Sequence, residues 1–209
     1  MPKNYCSNRN PETMLRLIVS VLLVVMVAFG GQTGECCGRA RDHNESVFTN
    51  PDHQAFMKNL GKLWGNSYQG QQVYRSHHGD SWADRLILMH VEVCEDQKVH
   101  VAFHADEDRY RTWMFIVEDG ELAFKHRYLN EDGTRMDGSM YGGNATDKGS
   151  GFVQHFQADK FSGSIIDGGG ENLWTVSLFE DLSTFSYRLD RDGEKRFEII
   201  FDLTNPWQE

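Results

Sequence analysis

His126 and Tyr128 sit two residues apart in the run Leu122–Leu129. An imidazole titrates near neutrality and can take or give a proton. A phenol can donate and accept a hydrogen bond. Two residues apart on an extended strand means one shared face. The run Arg111–Val117 precedes it, and the pair Asp119-Gly120 lies between the two. Asp-Gly between alternating apolar runs predicts a two-residue type I′ hairpin, because that turn needs positive φ at both central positions. The register then follows. Glu118 faces Glu121, Val117 faces Leu122, Phe115 faces Phe124, Trp113 faces His126, and Arg111 faces Tyr128. The other face carries Thr112, Met114, Ile116, Ala123, Lys125 and Arg127. Bulky apolar residues dominate the first face, so it is the expected interior. Arg111, Trp113, Phe115, Phe124, His126 and Tyr128 are therefore the candidate ligand-contacting set. It is apolar towards the turn and hydrogen-bonding away from it, a split that suits an amphiphilic small molecule. A second reading makes Arg111, His126 and Tyr128 a polar plug that satisfies itself, since a buried arginine is costly unless paired. A third has His126 or Tyr128 act as acid or base in a barrel-type isomerase or hydrolase.

Other motifs carry less chemistry. There is no Gly-x-Ser-x-Gly elbow, no His-Glu-x-x-His helix and no phosphate-cradling glycine loop. The run Asp167–Glu171, "DGGGE", follows two isoleucines but precedes nothing helical in pattern. His77-His78-Gly79-Asp80 reads as loop histidines, and no metal is expected there or elsewhere. No cofactor is expected. His100 and His104 share the face opposite Val99, Val101 and Phe103, and are expected outside.

The elements that must position these groups are short strands. Arg85–Cys94, Lys98–Ala105, Arg111–Val117, Leu122–Leu129, Gly151–Ala158, Asn172–Glu180, Thr184–Asp190 and Lys195–Leu203 all alternate or run apolar between turn residues. Asp132-Gly133 and Asp192-Gly193 add two further Asp-Gly turns. At Asp192-Gly193, Arg191 is expected to face Glu194, and Asp190 to face Lys195, with opposite charges opposed. Asn50-Pro51-Asp52 reads as a helix start, followed by apolar Ala55, Phe56, Leu60 and Leu63. No long amphipathic helix follows Trp64. The segment Met136–Gly151 interrupts the meander and reads as a glycine-rich lid or rim loop. The pattern predicts an all-β fold: an up-and-down antiparallel barrel of eight to ten strands with a short N-terminal helix. A two-sheet sandwich is the competing architecture.

Length and charge bound the partners. The chain has 209 residues, enough for one domain, and a net charge of −10 with no lysine- or arginine-rich run. Nucleic-acid affinity rests on clustered cations, so no nucleic-acid partner is expected. Leu17–Phe29 is an uncharged apolar run with Arg16 before it and Ala28-Phe29-Gly30 at its end, the layout of a secretory signal peptide cut after Gly30. Met14 is the better start for such a signal than Met1. The run is short for a membrane span, which takes about 20 residues. No stable span is expected once the signal is cleaved; an uncleaved anchor and a lipidated Cys36 are the alternatives. The expected organisation is a signal peptide over 1–30, a flexible lead-in over 31–52 and a barrel domain over 53–209, in a secreted or periplasmic protein. In that compartment Cys94 either bridges to Cys36 or Cys37, or stays an apolar strand residue.

At "LGKLWGNSY" the sequence resembles the opening of calycin-type barrels, the lipocalins and fatty-acid-binding proteins, which carry a tryptophan near a glycine at the first strand. "MYGG", "LWTVSLFED" and "FEIIFDLTNP" look like a group of bacterial lipocalin-like proteins, over roughly residues 56–206. The spacing departs from theirs, with Gly61 three residues before Trp64. The resemblance implies the barrel, and a late arginine, Arg188 or Arg196, packed over Trp64. It carries no established activity. "LWGNSYQG" is also similar to the opening of nitrobindin haem barrels, but no histidine lies between Thr184 and Leu203 to hold the iron. The favoured expectation is a barrel binding a small apolar or amphiphilic ligand. A catalytic barrel and an interaction module with a filled interior are the alternatives.

Overall fold

The computed structural model describes residues 47–77 and 82–208. Ten antiparallel strands follow one another around a closed barrel: β1 (Ser67–Arg75), β2 (Ile87–Glu95), β3 (Lys98–Ala105), β4 (Asp108–Glu118), β5 (Glu121–Tyr128), β6 (Tyr141–Ala145), β7 (Val153–Ala158), β8 (Asn172–Leu178), β9 (Thr184–Arg191) and β10 (Glu194–Asp202). Each strand pairs with its sequence neighbours, and β10 pairs with β1 to close the ring, so no long edge is left unpaired. This is the up-and-down barrel rather than the sandwich. The signal-peptide, lipidation and start-codon expectations fall outside the described residues.

Local chemistry accounts for the hairpins. Asp119 and Gly120 have φ of 51° and 84°, and Asp192 and Gly193 have φ of 55° and 74°. These are the left-handed conformations a two-residue hairpin demands. The β4–β5 register is the expected one at every pair from Glu118–Glu121 to Arg111–Tyr128. At β9–β10 the expected partners also oppose each other, but the ion pairs form elsewhere: Asp190 with Arg188, and Lys195 with Glu198. A bulge follows. Lys195 opposes Asp190 and Phe197 opposes Leu189, so Arg196 is an extra residue.

One end of the barrel is plugged. Helix α1 (Pro51–Gly61) starts where Asn50 accepts a hydrogen bond from the Asp52 amide at 2.8 Å, with Pro51 in its first turn. Its buried face, including Phe56, Met57 and Leu60, lies over the β4–β5 turn end, where Phe56 meets Phe115 at 5.8 Å between ring centroids. The Thr49 amide donates to the Gly120 carbonyl at 3.0 Å. Residues 47–52, expected in the flexible lead-in, therefore belong to this end. Cys94 packs against the same core and is disulfide-bonded; the other three cysteines lie outside the described residues.

Three elements were not expected, the smallest a 3₁₀ turn over Gly169–Glu171. Tyr141–Ala145 is a strand, not part of a loop. Its Gly142 and Gly143 mimic a loop signal, yet they are there for close backbone approach: a Cβ on Gly143 would lie 1.7 Å from the Gln157 carbonyl oxygen. The second is a short helix α2 (Lys160–Ile165) between β7 and β8, capped by the Asp159 carboxylate, which accepts from the Ser162 amide. Asp159 also pairs with Lys125 at 2.6 Å, and the Ser162 hydroxyl bridges both backbone groups of Gly142, tying α2 to the barrel wall.

Candidate functional site

The interior divides into a filled half and a hollow half. Towards α1, Phe115, Phe124, Phe156, Phe185 and Phe201 are wholly buried and in ring contact. Gly70 on β1 makes room there, since a Cβ would meet the Phe201 ring at 2.5 Å. Burying one such ring contributes on the order of 2–3 kcal/mol, so this half is a packed floor. Towards the opposite end lies a cavity of about 570 Å³.

The hollow half begins at the level of Trp113. Phe103, Trp113 and Tyr187 stack in a row, with centroids 4.6 and 4.5 Å apart and planes tilted by 29° and 17°. His126 stacks on Tyr141 at 4.3 Å and 14°. Trp82, from the β1–β2 loop, folds over the rim against Phe103 at 4.9 Å. Arginines ring the mouth. The Arg111 guanidinium lies 5.2 Å from the Trp82 ring and 4.9 Å from the Tyr128 ring, and its Nε donates to Asp108 at 2.6 Å. Arg191 donates to the Asn172 side chain at 2.7 Å and the Asp167 carbonyl at 3.0 Å. Arg196 reaches the cavity as the extra residue of the β10 bulge.

Four of the six expected residues line this cavity: Arg111, Trp113, His126 and Tyr128. Phe115 and Phe124 do not. They stack on each other at 4.8 Å inside the packed floor, because α1 plugs that end and leaves no space beside them. Tyr141, Trp174 and Tyr187 also line it and were not singled out from the sequence; Arg191 and Arg196 line it too, and were expected only in other roles, facing Glu194 and over Trp64. The alternation of Phe185, Tyr187 and Leu189 along β9 puts Tyr187 on an inward face. Nothing in the sequence signals that β9 and β5 meet across the lumen.

The polar groups are ordered. His126 Nδ1 lies 3.3 Å from the Tyr141 carbonyl, which can only accept. Nδ1 therefore carries the proton, and Nε2 accepts from the Tyr187 hydroxyl at 2.9 Å. Burial drives the His126 pKa from 6.5 down to about 3, the Tyr141 carbonyl opposing and the Arg111 charge adding to the fall. The ring is neutral, with both nitrogens engaged. The Tyr128 and Tyr141 hydroxyls bond each other at 2.7 Å, and burial, foremost, pushes the Tyr141 pKa well above its ordinary value. The expected polar plug is thus half realised. His126 pairs with Tyr187 and the Tyr141 carbonyl, and Tyr128 with the Tyr141 hydroxyl, while Arg111 pairs with Asp108 and keeps its guanidinium over the Tyr128 ring. Neither Arg188 nor Arg196 packs over Trp64, which is 46% exposed in the turn after α1. Arg188 is held by Asp190, and Arg196 lies at the mouth. Among the described residues no group of three or more His, Cys, Asp or Glu side chains could hold a metal ion. No helix there is long and apolar enough to cross a membrane.

Fold and site define a class: a closed ten-stranded antiparallel barrel with a helix-plugged floor and an aromatic cup at the other end. The chain matches no protein-family model, no curated protein and no solved structure.

Proposed function

We propose that this protein binds a small, partly apolar ligand in the cup, and does so outside the cytosol as a secreted or periplasmic protein. The single observation behind the binding reading is the cavity of about 570 Å³, with stacked rings below and arginines above. Ligand sites span roughly 300–1,000 Å³ and combine apolar walls with a few placed polar groups. The apolar run Leu17–Phe29 supports export, with anchorage by that run as the alternative. Kinship with calycin-type barrels is part of the proposal, although ten strands exceed the eight or so of lipocalins.

Binding is favoured over catalysis by the state of His126. A general base needs a free lone pair and a pKa near the working pH. His126 spends its lone pair on Tyr187, and the charge that acts on it is the Arg111 guanidinium rather than a carboxylate. A filled interaction module is disfavoured because only the floor is filled. The test is native mass spectrometry of protein purified from its own host, with titration of the emptied protein by N-phenyl-1-naphthylamine. A retained small molecule, or saturable one-to-one dye binding that quenches tryptophan emission, is expected. Protein that carries nothing and takes up no dye overturns the reading.

A further inference from the structure

We infer that the ligand is a compact, flat acid: an aromatic or conjugated ring system whose anionic group is received by Arg196 at the mouth of the cup. The inference rests on the binding reading above and names the ligand's chemical class.

The first support is an unspent donor. Arg196 Nε is buried and has no hydrogen-bond partner among the described residues. A buried N–H without a partner costs about 1–3 kcal/mol, more when charged, and native proteins seldom keep one idle. Its neighbours do not cancel it. Asp192 and Glu194 stand 3.9 and 3.5 Å from Nη2, and their side chains are 62% and 75% exposed, against 20% for Arg196. Pairs with such exposed carboxylates are weak and screened by water. An anion drawn into the cup would be shielded from solvent and could take up Nε directly.

The second support is how Arg196 gets there. It is the extra residue of the bulge between Lys195 and Phe197. In a regular strand the side chain before inward-facing Phe197 would point outward. The bulge turns it to the lumen, and bulges recur beside binding sites for this re-aiming. The third is where charge sits. Three arginines and two aspartates line the cavity of a chain whose net charge is −10, with Asp108 and Glu194 beside Arg111 and Arg196 just outside it. The lining itself, three cations against two anions, favours an anion; the rim around it adds nothing to that.

Shape excludes a long chain. From Trp113 to the end of β4 at Asp108 is five residues, about 17 Å along the strand and about 13 Å along a barrel axis tilted by ~40°. Below Trp113 the phenylalanine floor is shut. An extended acyl chain has nowhere to go, whereas a compact ring system fits beside the stack of Phe103, Trp113 and Tyr187, whose facing surfaces are spent on one another.

The experiment uses a matched dye pair: 8-anilinonaphthalene-1-sulfonate, and N-phenyl-1-naphthylamine, which has the same rings without the sulfonate. The acid is expected to bind one-to-one and more tightly. Arg196→Gln should weaken the acid about tenfold, the low end for a charge-assisted hydrogen bond, and the neutral dye by less than about twofold. Arg188→Gln, the same charge change on the outer wall, should alter neither. Parinaric acid, a long conjugated chain, should bind more weakly than the sulfonate. Should Arg196→Gln lose its native near-ultraviolet circular dichroism, the salt dependence of the wild-type protein decides: acid affinity falls with salt and neutral affinity does not. Equal binding of both dyes, untouched by Arg196→Gln or by salt, overturns the inference and leaves the binding reading standing. Parinarate binding as tight as the sulfonate overturns the compact-ligand part. Neither dye binding at all defeats the binding reading itself.

Discussion

His126 is the residue whose chemistry changed most between sequence and structure. As a letter it offers proton transfer. In place it is a neutral strut between β5, β6 and β9, bonded to the Tyr141 carbonyl and the Tyr187 hydroxyl. Its folded pKa of about 3 lies below the ordinary 6.5, so between those values the unfolded chain binds a proton that the folded one refuses. Stability from this group is therefore whole above pH 6.5, falls as the pH drops, and levels off only below about 3. The slope is about 1.4 kcal/mol per pH unit, so roughly 3 kcal/mol should be lost between pH 6.5 and 4. Urea denaturation of the wild type and of His126→Gln at pH 7, 5.5 and 4 measures this. The variant is expected to be less stable at pH 7 and to lose less on acidification. Parallel curves would mean that His126 is not buried neutral. The sequence could place His126 on the inner face, because the pleat fixes that from one turn. It could not supply the pKa, which depends on burial among strands that meet only in the closed barrel, β9 among them.

Single elements were legible where short-range rules act alone. The Asp-Gly turns fixed the register of β4–β5 and the turn pairs of β9–β10, since positive φ and a period of two leave few alternatives. Helix α1 announced itself through Asn50-Pro51-Asp52. The readings that failed were those in which local signals point two ways. Gly142-Gly143 looks like a loop and is a strand, because the need for close backbone approach is invisible without the neighbouring strand. Helix α2 is too short to show a period, and the β10 bulge shows only as a mismatch of faces, since a strict register from Asp192-Gly193 pairs Phe197 with Arg188. The cleanest test at this scale is Gly193→Val. Gly193 has φ of +74°, and nothing lies within 4 Å of the Cβ it would gain, so no clash contributes. The cost is conformational alone, about 1–2 kcal/mol for a left-handed residue with a side chain, and more for a β-branched one. A lowered melting temperature is expected, with the barrel's circular dichroism unchanged. An unchanged or higher melting temperature would count against the turn assignment.

At the scale of the whole molecule, closure is the last thing the chain can accomplish. Strand β1 waits for β10, with Gly70 opposite Phe201 and more than a hundred residues between them. Such long-range pairing forms slowly and contributes to stability only once formed. A chain ending at Asp192 keeps nine strands but exposes the edges of β1 and β9 and loses Phe197, Ile199 and Phe201 from the interior. It is expected to aggregate and to lack native near-ultraviolet circular dichroism, as light scattering and spectroscopy would register. A soluble, monomeric truncation with a native spectrum would show that closure is dispensable.

The plugged floor also decides how the protein can be held. The chain enters at Thr49, beside the β4–β5 turn, and leaves β10 at that same end, where the Trp207 amide donates to the Ser67 carbonyl at the start of β1. The chain thus comes into the barrel, and leaves its last strand, at the base of the goblet. A fusion partner or a surface linkage that replaces residues 1–46 therefore grips the stem and leaves the rim facing outward.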